Sequence, residues 1–426
     1  MERHEEYKDS HIPWVGEVPA HWEVRKLKTL VSRKSETGKP DGTVLSLYRD
    51  YGVIPKDSRS DNHNRTSENT DSYRVVGIDD LVVNKMKAWQ GSLAVSQYDG
   101  IVSPAYFVYR LTSSKIFPRY LHYATRNASY IPEYKRLSGG IRPDQWDLSP
   151  DGFSQILYLV PPYEEQVRIS EYLDRILDEI DALIEATVKS IELLEEYRRS
   201  VISEAVTKGL DPNAPMKDSG IEWVGEIPVH WAVEALGLRS TMLTPMRDKP
   251  EDLDGPIPWV RIEDYDGKHL SCSKAGYGVS QETIDEMNLK VYPVGTVLCT
   301  SSCDLGKAAI IAEPLVSNQR FIGIIPGKDL TSDFLYYLML SNSERLNTLS
   351  TGTIQANLSR KSFEHLKLPF PSIEEQTQIS RFLDQQTSAI DELITSRKEI
   401  VSLLSDYRRS LISEAVTGKI KVPGVK

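Results

Sequence analysis

The sequence predicts an α+β protein in which two mixed α/β domains are separated by two long helices that pair as an antiparallel coiled coil. Three observations predict this fold: a tryptophan-containing motif that occurs twice, a long apolar-periodic segment that occurs twice, and two β-rich inserts between the repeated parts. At 426 residues the chain is long enough for two or three domains, each with its own core. The chain is therefore predicted to be an internal tandem repeat with pseudo-two-fold symmetry.

The first repeated element is a short motif rich in Pro and Trp. Asp9–Trp22 and Asp218–Trp231 lie 209 residues apart and are identical at 10 of 14 positions. His21 and His230 both occur in the sequence Pro-x-His-Trp. A repeated catalytic base is one interpretation, but a histidine that recurs inside a turn is more typical of a structural hydrogen bond.

The second repeated element is a long helical segment. Glu164–Thr207 and Glu374–Thr417 align without a gap at an offset of 210 and are identical at 23 of 44 positions. In both copies residues of an apolar stripe recur at about heptad spacing: Leu173, Leu177, Ile180, Ile184, Thr187, Ile191, Leu194, Tyr197 and Val201, then Leu383, Ile390, Ile394, Val401, Leu404, Tyr407 and Leu411. Neither segment contains Pro or Gly, and Gly209 and Gly418 follow their ends. The pattern indicates two long helices that bury their stripes against each other, rather than two core helices of separate domains.

The inserts between these repeats, about Glu23–Leu159 and Ala232–Leu368, show little similarity to each other. Each contains short β-rich runs bounded by Gly, Pro, Asn and Asp and one amphipathic helical stretch. The predicted strands are Gly77–Val83, Ile101–Tyr109, Gly295–Cys299 and Arg320–Ile325, and the predicted helices are Pro118–Asn127 and Thr331–Asn342. We therefore expect domain boundaries that give residues 1–159, a helix in 160–209, residues 210–368, and a helix with a tail in 369–426.

The net charge of −10 is concentrated in the repeated helices. Glu164–Thr207 holds 12 acidic and 5 basic residues, and Glu374–Thr417 holds 8 and 5, so the two segments carry −7 and −3. The rest of the chain is neutral overall, which leaves the inserts free to carry basic patches. The acidic composition therefore does not exclude a nucleic-acid partner.

Composition also predicts the compartment. No apolar run approaches the roughly 20 residues that cross a bilayer, and the charged N-terminus does not resemble a signal peptide. Three cysteines, Cys272, Cys299 and Cys303, suit a reducing cytoplasm, and the last two are expected to be small core residues rather than zinc ligands.

Signals for catalysis are weak. Val160–Tyr163 reads Val-Pro-Pro-Tyr, which lacks the polar first residue of an adenine methyltransferase site, and it is predicted to lead from a strand into a helix. No phosphate-binding glycine loop is present. The carboxylates Asp79, Asp80, Glu263 and Asp264 could hold Mg²⁺, but solvated turn acids are the favoured interpretation because no matching constellation occurs in both inserts.

The order of these elements resembles the specificity subunit of type I restriction–modification systems. The resemblance rests on Trp14–Trp22 and Trp223–Trp231, on the lead-ins Val160–Gln166 and Leu368–Gln376, and on the helices that follow. The second insert also closes with Ser350–Arg360, whereas Ser138–Asp147 of the first is only loosely similar. The individual motifs are weak, but their order, duplication and spacing are specific and cover essentially the whole chain.

This resemblance implies a non-catalytic DNA-specificity subunit. Each insert would be a target-recognition domain that reads one half of a bipartite, asymmetric site, and the helices would set the half-site spacing and dock two methyltransferase subunits. S-adenosylmethionine would belong to those partners, and ATP and Mg²⁺ to motor–nuclease subunits, so no cofactor is expected in this chain. A coiled-coil adaptor that binds two proteins without reading DNA is the alternative, and a solitary nuclease or methyltransferase is disfavoured.

Candidate DNA contacts are basic, amide, hydroxyl and aromatic side chains near glycines, which suit phosphate and base-edge binding. In the first insert they are Lys85, Lys87, Trp89, Gln90, Ser92, Arg136, Arg142, Gln145 and Trp146. In the second insert they are Ser301, Ser302, Lys307, Gln319, Arg320, Thr353, Gln355, Asn357, Arg360 and Lys361. The two Tyr-Arg-Arg-Ser sequences, Tyr197–Ser200 and Tyr407–Ser410, are open to three roles: DNA contact, partner contact or a salt-bridged helix end.

Overall fold

A computed structural model describes most of the chain. The described residues are 3–39, 42–49, 51–59, 69–140, 146–245, 249–302, 305–343, 345–346 and 358–425. They divide into two compact units. The terminal unit comprises Met1–Val188 and Glu399–Lys426, and the central unit comprises Lys189–Lys398.

In its described residues the terminal unit is built from short strands, three short helices and parts of the two long helices. Its strands are β1 (Tyr7–Asp9), β2 (Glu17–Pro19), β3 (Glu23–Lys26), β4 (Val31–Lys34), β5 (Leu45–Tyr48), β6 (Gly52–Pro55), β7 (Arg74–Val76), β8 (Leu81–Asn84), β9 (Leu93–Val95), β10 (Gly100–Val102), β11 (Tyr106–Leu111), β12 (Ser138–Gly139), β13 (Asp147–Leu148) and β14 (Leu157–Val160). Its helices are α1 (Pro118–Arg126), α2 (Ile131–Arg136), α3 (Pro150–Gln155) and the first part of α4 (Tyr163–Lys208), with 3₁₀ turns at Leu27–Thr29, Lys56–Ser58, Ala88–Gln90 and Ala128–Tyr130.

The central unit contains the remaining elements. Its strands are β15 (Met216–Asp218), β16 (Glu226–Pro228), β17 (Ala232–Ala235), β18 (Ser240–Leu243), β19 (Ile257–Val260), β20 (His269–Leu270), β21 (Gly278–Val279), β22 (Val297–Thr300), β23 (Ala308–Ile311), β24 (Val316–Ser317), β25 (Phe321–Pro326) and β26 (Lys367–Phe370). Its helices are α5 (Leu236–Arg239), α6 (Gln281–Met287), α7 (Ser332–Ser341), α8 (Arg360–Glu364) and the first part of α9 (Ile373–Val416), with a 3₁₀ turn at Ile262–Asp264.

The two inserts share one sheet topology although their sequences differ. In the terminal unit the main sheet has the antiparallel order β4-β11-β8-β9. In the central unit the corresponding order is β18-β25-β22-β23, and β20 is added in parallel next to β23. The pairs β1–β2 and β3–β14 likewise correspond to β15–β16 and β17–β26. The duplication therefore extends through the inserts.

Buried apolar strands and specific helix starts explain these shared elements. Strands β8 and β22 are almost wholly buried, as their Leu, Val and Cys residues favour. Proline begins α1, and Thr331 caps α7 by accepting a hydrogen bond from the Phe334 amide. Ser149 and Ser359, which lie 210 residues apart, cap α3 and α8 in the same way.

The long helices pair antiparallel within each unit. In the terminal unit the early α4 residues Leu173, Leu177 and Ile180 share a core with Leu411 and Ala415 near the end of α9. In the central unit the order is reversed, because Ile202, Ala205 and Val206 of late α4 share a core with Ile379 and Leu383 of early α9. The predicted fold class is confirmed: two mixed domains are combined with two long helices that form an antiparallel coiled coil.

Two tyrosines of the predicted stripe are not part of the seam. Tyr197 is 55% exposed and Tyr407 is 46% exposed. A straight helix has 3.6 residues per turn, so an apolar pattern that repeats every 3.5 residues shifts around the helix surface by about 20° per heptad. The next residues, Arg198 and Arg408, face the partner helix instead, where they form ion pairs with Asp391 and Asp181 at 2.9 and 3.0 Å.

Candidate nucleic-acid interface

Candidate DNA contacts of both inserts lie on the same hairpin of the shared sheet. Lys85, Lys87, Trp89 and Gln90 lie in the loop between β8 and β9. Ser301, Ser302 and Lys307 lie in the corresponding loop between β22 and β23. Lys87 and Lys307 are exposed and the others are half-buried. Ser92, by contrast, is only 5% exposed and packs under the hairpin, so it cannot present its hydroxyl to DNA without rearrangement.

Backbone hydrogen bonds bring three loops of the terminal unit together. The Lys85 amide donates to the Ala105 carbonyl at 3.1 Å, which ties the hairpin to the loop before β11. The Leu148 amide donates to the Lys85 carbonyl at 2.9 Å, which brings in the segment after α2. The hairpin therefore lies at the centre of a surface formed by three loops.

The central unit repeats this arrangement with different residues. The Ser301 amide donates to the Arg320 carbonyl at 2.8 Å, and the Leu358 amide donates to the Ser301 carbonyl at 2.9 Å. Exposed Gln319 and Arg320 are thereby placed beside the hairpin, and α8 begins two residues after Leu358. Because these bonds join backbone atoms, they do not depend on the side chains, and the surface can diverge while the framework stays constant.

Aromatic and basic side chains form a patch on the terminal unit. The Trp89 and Trp146 rings have centroids 5.4 Å apart, and the Lys135 Nζ lies 5.8 Å from the centre of the Trp146 ring. Lys85 forms an ion pair with Asp147 at 3.6 Å. Trp89 and Trp146, which are 57 positions apart and were both predicted as DNA contacts, are therefore neighbours. Lys135, which the sequence did not single out, lies beside them.

The other predicted DNA contacts are less clearly grouped in space. Arg136 is exposed but paired with Glu133 at 2.6 Å, and Arg360 is paired in the same way with Glu364 at 2.6 Å. Lys361 is exposed on α8. The remaining candidates lie outside the described residues: Arg142, Gln145, Thr353, Gln355 and Asn357.

One glycine in each hairpin allows a close backbone approach. Gly91 and Gly306 both lie two positions before the second strand, with φ angles of +83° and +94°. A Cβ on Gly91 would lie 3.2 Å from the Ile131 side chain, and one on Gly306 would lie 2.1 Å from the Ser343 Cβ. Glycine is required there because of its conformation and because of the neighbouring chain.

Each hairpin borders a cleft that also contains the arginines of Tyr-Arg-Arg-Ser. The cleft of the terminal unit has a volume of about 700 Å³, and Gln90, Arg126, Arg408 and Arg409 are among its lining residues. The cleft of the central unit has a volume of about 850 Å³, and Lys307, Arg198 and Arg199 are among its lining residues. The first arginine of each motif, Arg198 or Arg408, forms a salt bridge with the partner helix. Both arginines of each motif also line the cleft of their unit.

His122 lines the cleft of the terminal unit as an uncharged ring. Burial, followed by the positive charges of Arg126 and Arg119, lowers the pKa of the His122 imidazole to about 3. The ring is therefore neutral at pH 7, and its Nδ1 lies 3.4 Å from the Val95 carbonyl. The cationic side chains of this cleft are arginines, and Asp178 and Asp181 also line it.

The repeated histidines hold the start of each long helix. His21 Nε2 lies 2.8 Å from Glu165 Oε2, and the Trp22 Nε1–H donates to Glu165 Oε1 at 3.1 Å. In the second copy His230 and Trp231 make the same two contacts with Glu375, each at 3.0 Å. The structural hydrogen bond expected for these histidines is present in both units. Sequence reasoning missed the glutamate partner, although the joint repetition of Pro-x-His-Trp and Glu-Glu-Gln was a signal for it.

The glutamine of Glu-Glu-Gln fastens each helix to the insert before it. Gln166 accepts a hydrogen bond from the Phe117 amide at 2.8 Å and donates to the Lys115 carbonyl at 2.7 Å. Gln376 does the same with Thr331 and Asp329, at 2.9 and 3.1 Å. The repeated motifs therefore bind each recognition surface to its helix, at a buried position where both polar ends of the side chain are satisfied.

A tyrosine and a cation fasten the same elements about two turns further along each helix. Asp174 of α4 accepts a hydrogen bond from the Tyr123 hydroxyl and forms an ion pair with Arg119 at 2.7 Å. Asp384 of α9, 210 residues later, accepts a hydrogen bond from the Tyr337 hydroxyl at 2.6 Å, and Lys268 provides the cation. The orientation of each insert on its helix is therefore set by several directional contacts.

Three comparisons with known proteins agree with this architecture. The profile of the family described as the type I restriction modification DNA specificity domain matches residues 243–403. The type I restriction enzyme MjaIX specificity subunit of Methanocaldococcus jannaschii is 32% identical over 182 residues, which span 41% of this chain and 41% of that protein. The putative type I restriction enzyme MjaX specificity subunit of the same organism is 25% identical over 439 residues, which span 99% of this chain and 98% of that protein.

A solved structure supports the fold over the whole chain. A chain from a study of complex assembly and conformational transition in a type I restriction–modification system superposes with a TM-score of 0.72 at 16% identity, and covers 95% of this chain and 99% of that one. The chain is therefore similar to type I restriction enzyme specificity subunits, in sequence over part of its length and in fold over nearly all of it. The family profile covers most of the insert of the central unit and part of α9.

Of the four carboxylates that might have held Mg²⁺, Asp79 and Glu263 are exposed, as expected of solvated turn acids, whereas Asp80 and Asp264 are buried and serve the fold. Asp80 is 4% exposed, forms an ion pair with Lys34 at 2.9 Å and accepts the Gly77 amide at 2.8 Å. Asp264 is 2% exposed and accepts the Arg261 and Lys274 amides at 2.7 and 2.8 Å. The prediction of turn acids holds for both, but the expectation that they are solvated is wrong, because each carboxylate is enclosed with its hydrogen-bond donors.

The described residues give two further findings, about metals and membranes. Among the described residues, His4, His21 and Glu165 bring their ligand atoms within 4.8 Å of one another, a spacing that could hold a metal ion. No helix in the described ranges combines the length and the apolar character needed to cross a bilayer. Cys299 is buried, as expected, whereas Cys272 is exposed and Cys303 lies outside the described residues.

Proposed function

We propose that this chain is a specificity subunit that reads DNA with both units, each unit binding one half of a bipartite, asymmetric site, and that it does so without catalysis of its own. The observation that carries the proposal is the pair of equivalent hairpins, β8–β9 and β22–β23, supported by the same backbone bonds but bearing different side chains. An identical framework gives two readers of the same geometry. Different side chains give them different sequences to read.

The side chains on the hairpins suit the two kinds of DNA contact. Lys87 and Lys307 are exposed and fit phosphate binding, whereas Gln90 and the hydroxyls of Ser301 and Ser302 fit hydrogen bonding to base edges. The arginines of the neighbouring clefts extend the positive surface toward the long helices. The phosphate contacts are expected to be independent of DNA sequence and sensitive to salt, since phosphate binding releases counterions.

The long helices supply a second proposed surface, which would dock two methyltransferase subunits. Each unit exposes two leucines and a tyrosine at equivalent positions. They are Leu183, Leu403 and Tyr407 in the terminal unit, and Leu393, Leu193 and Tyr197 in the central unit, and all are between 46% and 67% exposed. Large apolar side chains that recur on exposed positions of an otherwise acidic helix favour a protein partner over water or DNA.

In this proposal the reactive chemistry belongs to the partners. The methyltransferase subunits would bring S-adenosylmethionine, and motor–nuclease subunits would bring ATP and Mg²⁺ for cleavage. The helices would set the spacing between half-sites, and the assembly would work in the reducing cytoplasm, where the free thiols of Cys272 and Cys299 stay reduced.

Genome methylation mapping with hairpin variants tests the reading of DNA. In the complex with its methyltransferase subunits, the triple variant Lys85→Ala, Lys87→Ala, Gln90→Ala should lose or relax one half-site and keep the other. Ser301→Ala, Ser302→Ala, Lys307→Ala should affect the opposite half-site. Each lost bidentate base contact costs about 1–3 kcal/mol of discrimination, or about 5- to 150-fold.

The matched control is Lys189→Ala, an exposed lysine on α4 outside both hairpins. If both triple variants changed the same half-site, or if methylation stayed at the same sequence in both, the assignment of one half-site to each hairpin would be wrong. A chain that binds two proteins but gives no sequence-specific methylation would instead support the adaptor.

A further inference from the structure

We infer that His4, His21 and Glu165 form a binding site for one Zn²⁺ ion, or a similar borderline divalent ion, at the start of the terminal unit. The inference is independent of DNA reading. It rests on three side chains of suitable chemistry that come together from three separate parts of the chain. Two imidazoles and one carboxylate form a known three-ligand zinc set that leaves a fourth position for water.

The distances fit a zinc ion after small movements. Glu165 Oε2 lies 2.8 Å from His21 Nε2, and Glu165 Oε1 lies 3.8 Å from His4 Nε2. Ligand atoms around a tetrahedral zinc are about 3.3–3.5 Å apart, given bonds of about 2.0–2.2 Å. The two observed distances involve different oxygens of Glu165, and one ligand atom from each of the three residues lies within 4.8 Å of the others. Side-chain rotations that shorten the widest separation by up to about 1.5 Å would complete the site.

The surroundings favour a preorganised site with access from solvent. His4 and Glu165 are 8% and 7% exposed, whereas the His21 side chain is 45% exposed. The Trp22 Nε1–H donates to Glu165 Oε1 at 3.1 Å, an outer-shell contact that fixes the carboxylate. An incoming ion would replace the hydrogen between His21 Nε2 and Glu165, and the neutral His21 ring would then carry its proton on Nδ1.

The second copy of the repeat shows which part of this cluster is not needed for the fold. His230, Trp231 and Glu375 reproduce the framework contacts, but the position equivalent to His4, 209 residues later, is the exposed Asn213. The histidine–glutamate pair is therefore sufficient for structure. His4 is an addition of the first copy alone, and it converts a structural pair into a three-ligand set.

Metal titration of the full-length chain tests the site. The chain should carry no affinity tag, because added histidines bind metal, and it should first be stripped with a chelator. Titration with Co²⁺ is expected to give visible absorption of a low-coordinate Co²⁺ centre at one equivalent per chain, and Zn²⁺ should displace it. Zn²⁺ should also raise the midpoint of thermal unfolding, because it binds the folded state.

Three variants make the test specific. His4→Asn, which copies the residue of the second repeat, should weaken Zn²⁺ binding by at least about 100-fold, more than the loss of an outer-shell partner does. His4→Cys should retain binding because thiolate is a zinc ligand. His230→Asn, in the pair without a third ligand, should leave binding unchanged, and circular dichroism checks that each variant is folded.

Several results would overturn the inference. They are a wild-type chain that binds neither Co²⁺ nor Zn²⁺ at one equivalent, binding that survives His4→Asn, and binding lost equally with His230→Asn. A rise in thermal midpoint with Zn²⁺ that is the same for wild type and His4→Asn would also reject this site.

Discussion

At the scale of single residues, the glutamate before the glutamine in Glu-Glu-Gln matters because it satisfies a buried indole. Trp231 is 1% exposed and its Nε1–H donates to Glu375. Glu375→Ala would leave that donor buried without an acceptor, which costs about 1–3 kcal/mol. We expect the thermal midpoint of the central unit to fall by about 4–8 °C. Calorimetry measures it, with exposed Glu374→Ala as the control; equal midpoints for the two variants would contradict this role.

His122 gives a prediction about pH. Burial, followed by the charges of Arg126 and Arg119, lowers its pKa to about 3, whereas an unfolded histidine titrates near 6.5. Between these pH values the unfolded chain binds a proton at His122 and the folded chain does not. His122 therefore leaves the free energy of unfolding unchanged above about pH 7 and lowers it progressively as the pH falls below about 6.5.

His122→Gln should therefore reduce the loss of stability on acidification. Between pH 7 and pH 5 we expect the wild type to lose about 1 kcal/mol more than the variant, after allowance for partial solvent access to the ring. Denaturant unfolding at both pH values measures the difference. His269→Gln, an exposed histidine of the central unit, is the control. A pH dependence that is unchanged by His122→Gln would show that the ring is protonated in the fold.

At the scale of elements, the helices and the repeated motifs were predictable, and the insert topology was not. The helix ends near Gly209 and Gly418 follow from periodicity and glycine, which act locally along the chain. The common strand order of the inserts depends on backbone pairing, which leaves little trace in side chains once they have diverged. The same reason explains why Lys85 and Ser301 were both predicted as candidates without being recognised as equivalent.

Long-range partners were missed for a different reason. Glu165 lies 144 residues from His21, and a single sequence does not indicate which repeated motif contacts which. Trp146 was predicted as a DNA contact on composition, but its contact with the tilted ring of Trp89 required the loop geometry. The sequence thus predicted candidate contacts through the types of residue present, and the structure shows which of them lie next to each other.

The exposed leucines of the helices give a prediction for partner binding. Leu193 and Leu403 occupy equivalent positions in the two units and are 54% and 67% exposed. Leu193→Glu or Leu403→Glu alone should reduce the number of bound methyltransferase subunits from two to one, and the double variant should bind none, because a charge would be buried without a partner. Native mass spectrometry of the complex measures the stoichiometry.

The control for this experiment is Leu238→Glu, which adds the same charge at a leucine that is 77% exposed on α5. It should leave two subunits bound. Retention of both subunits by the double variant would place the docking surface elsewhere on the chain.

At the scale of the whole molecule, the two boundaries between the units fall at equivalent positions of the repeat. Helix α4 passes from one unit to the other after Val188, and α9 after Lys398, positions that are 210 residues apart. The tandem repeat and the compact units are therefore out of phase, since each unit takes the first part of one long helix and the last part of the other. A change of helix length at these two positions would leave the described contacts inside each unit intact.

This phase relation allows a direct test of the proposed ruler. Seven residues inserted after Val188 and seven after Lys398 would preserve the heptad register and lengthen both helices by about 10 Å. At about 3.4 Å per base pair, the gap between half-sites should grow by about three base pairs while both half-sites keep their sequences. Methylation mapping returns the half-sites and the gap together. Seven residues inserted instead near Asn213, in the segment between α4 and β15, should leave the gap unchanged. If the doubly lengthened chain still methylated sites with the original gap, the helices would serve for docking and would not set the spacing.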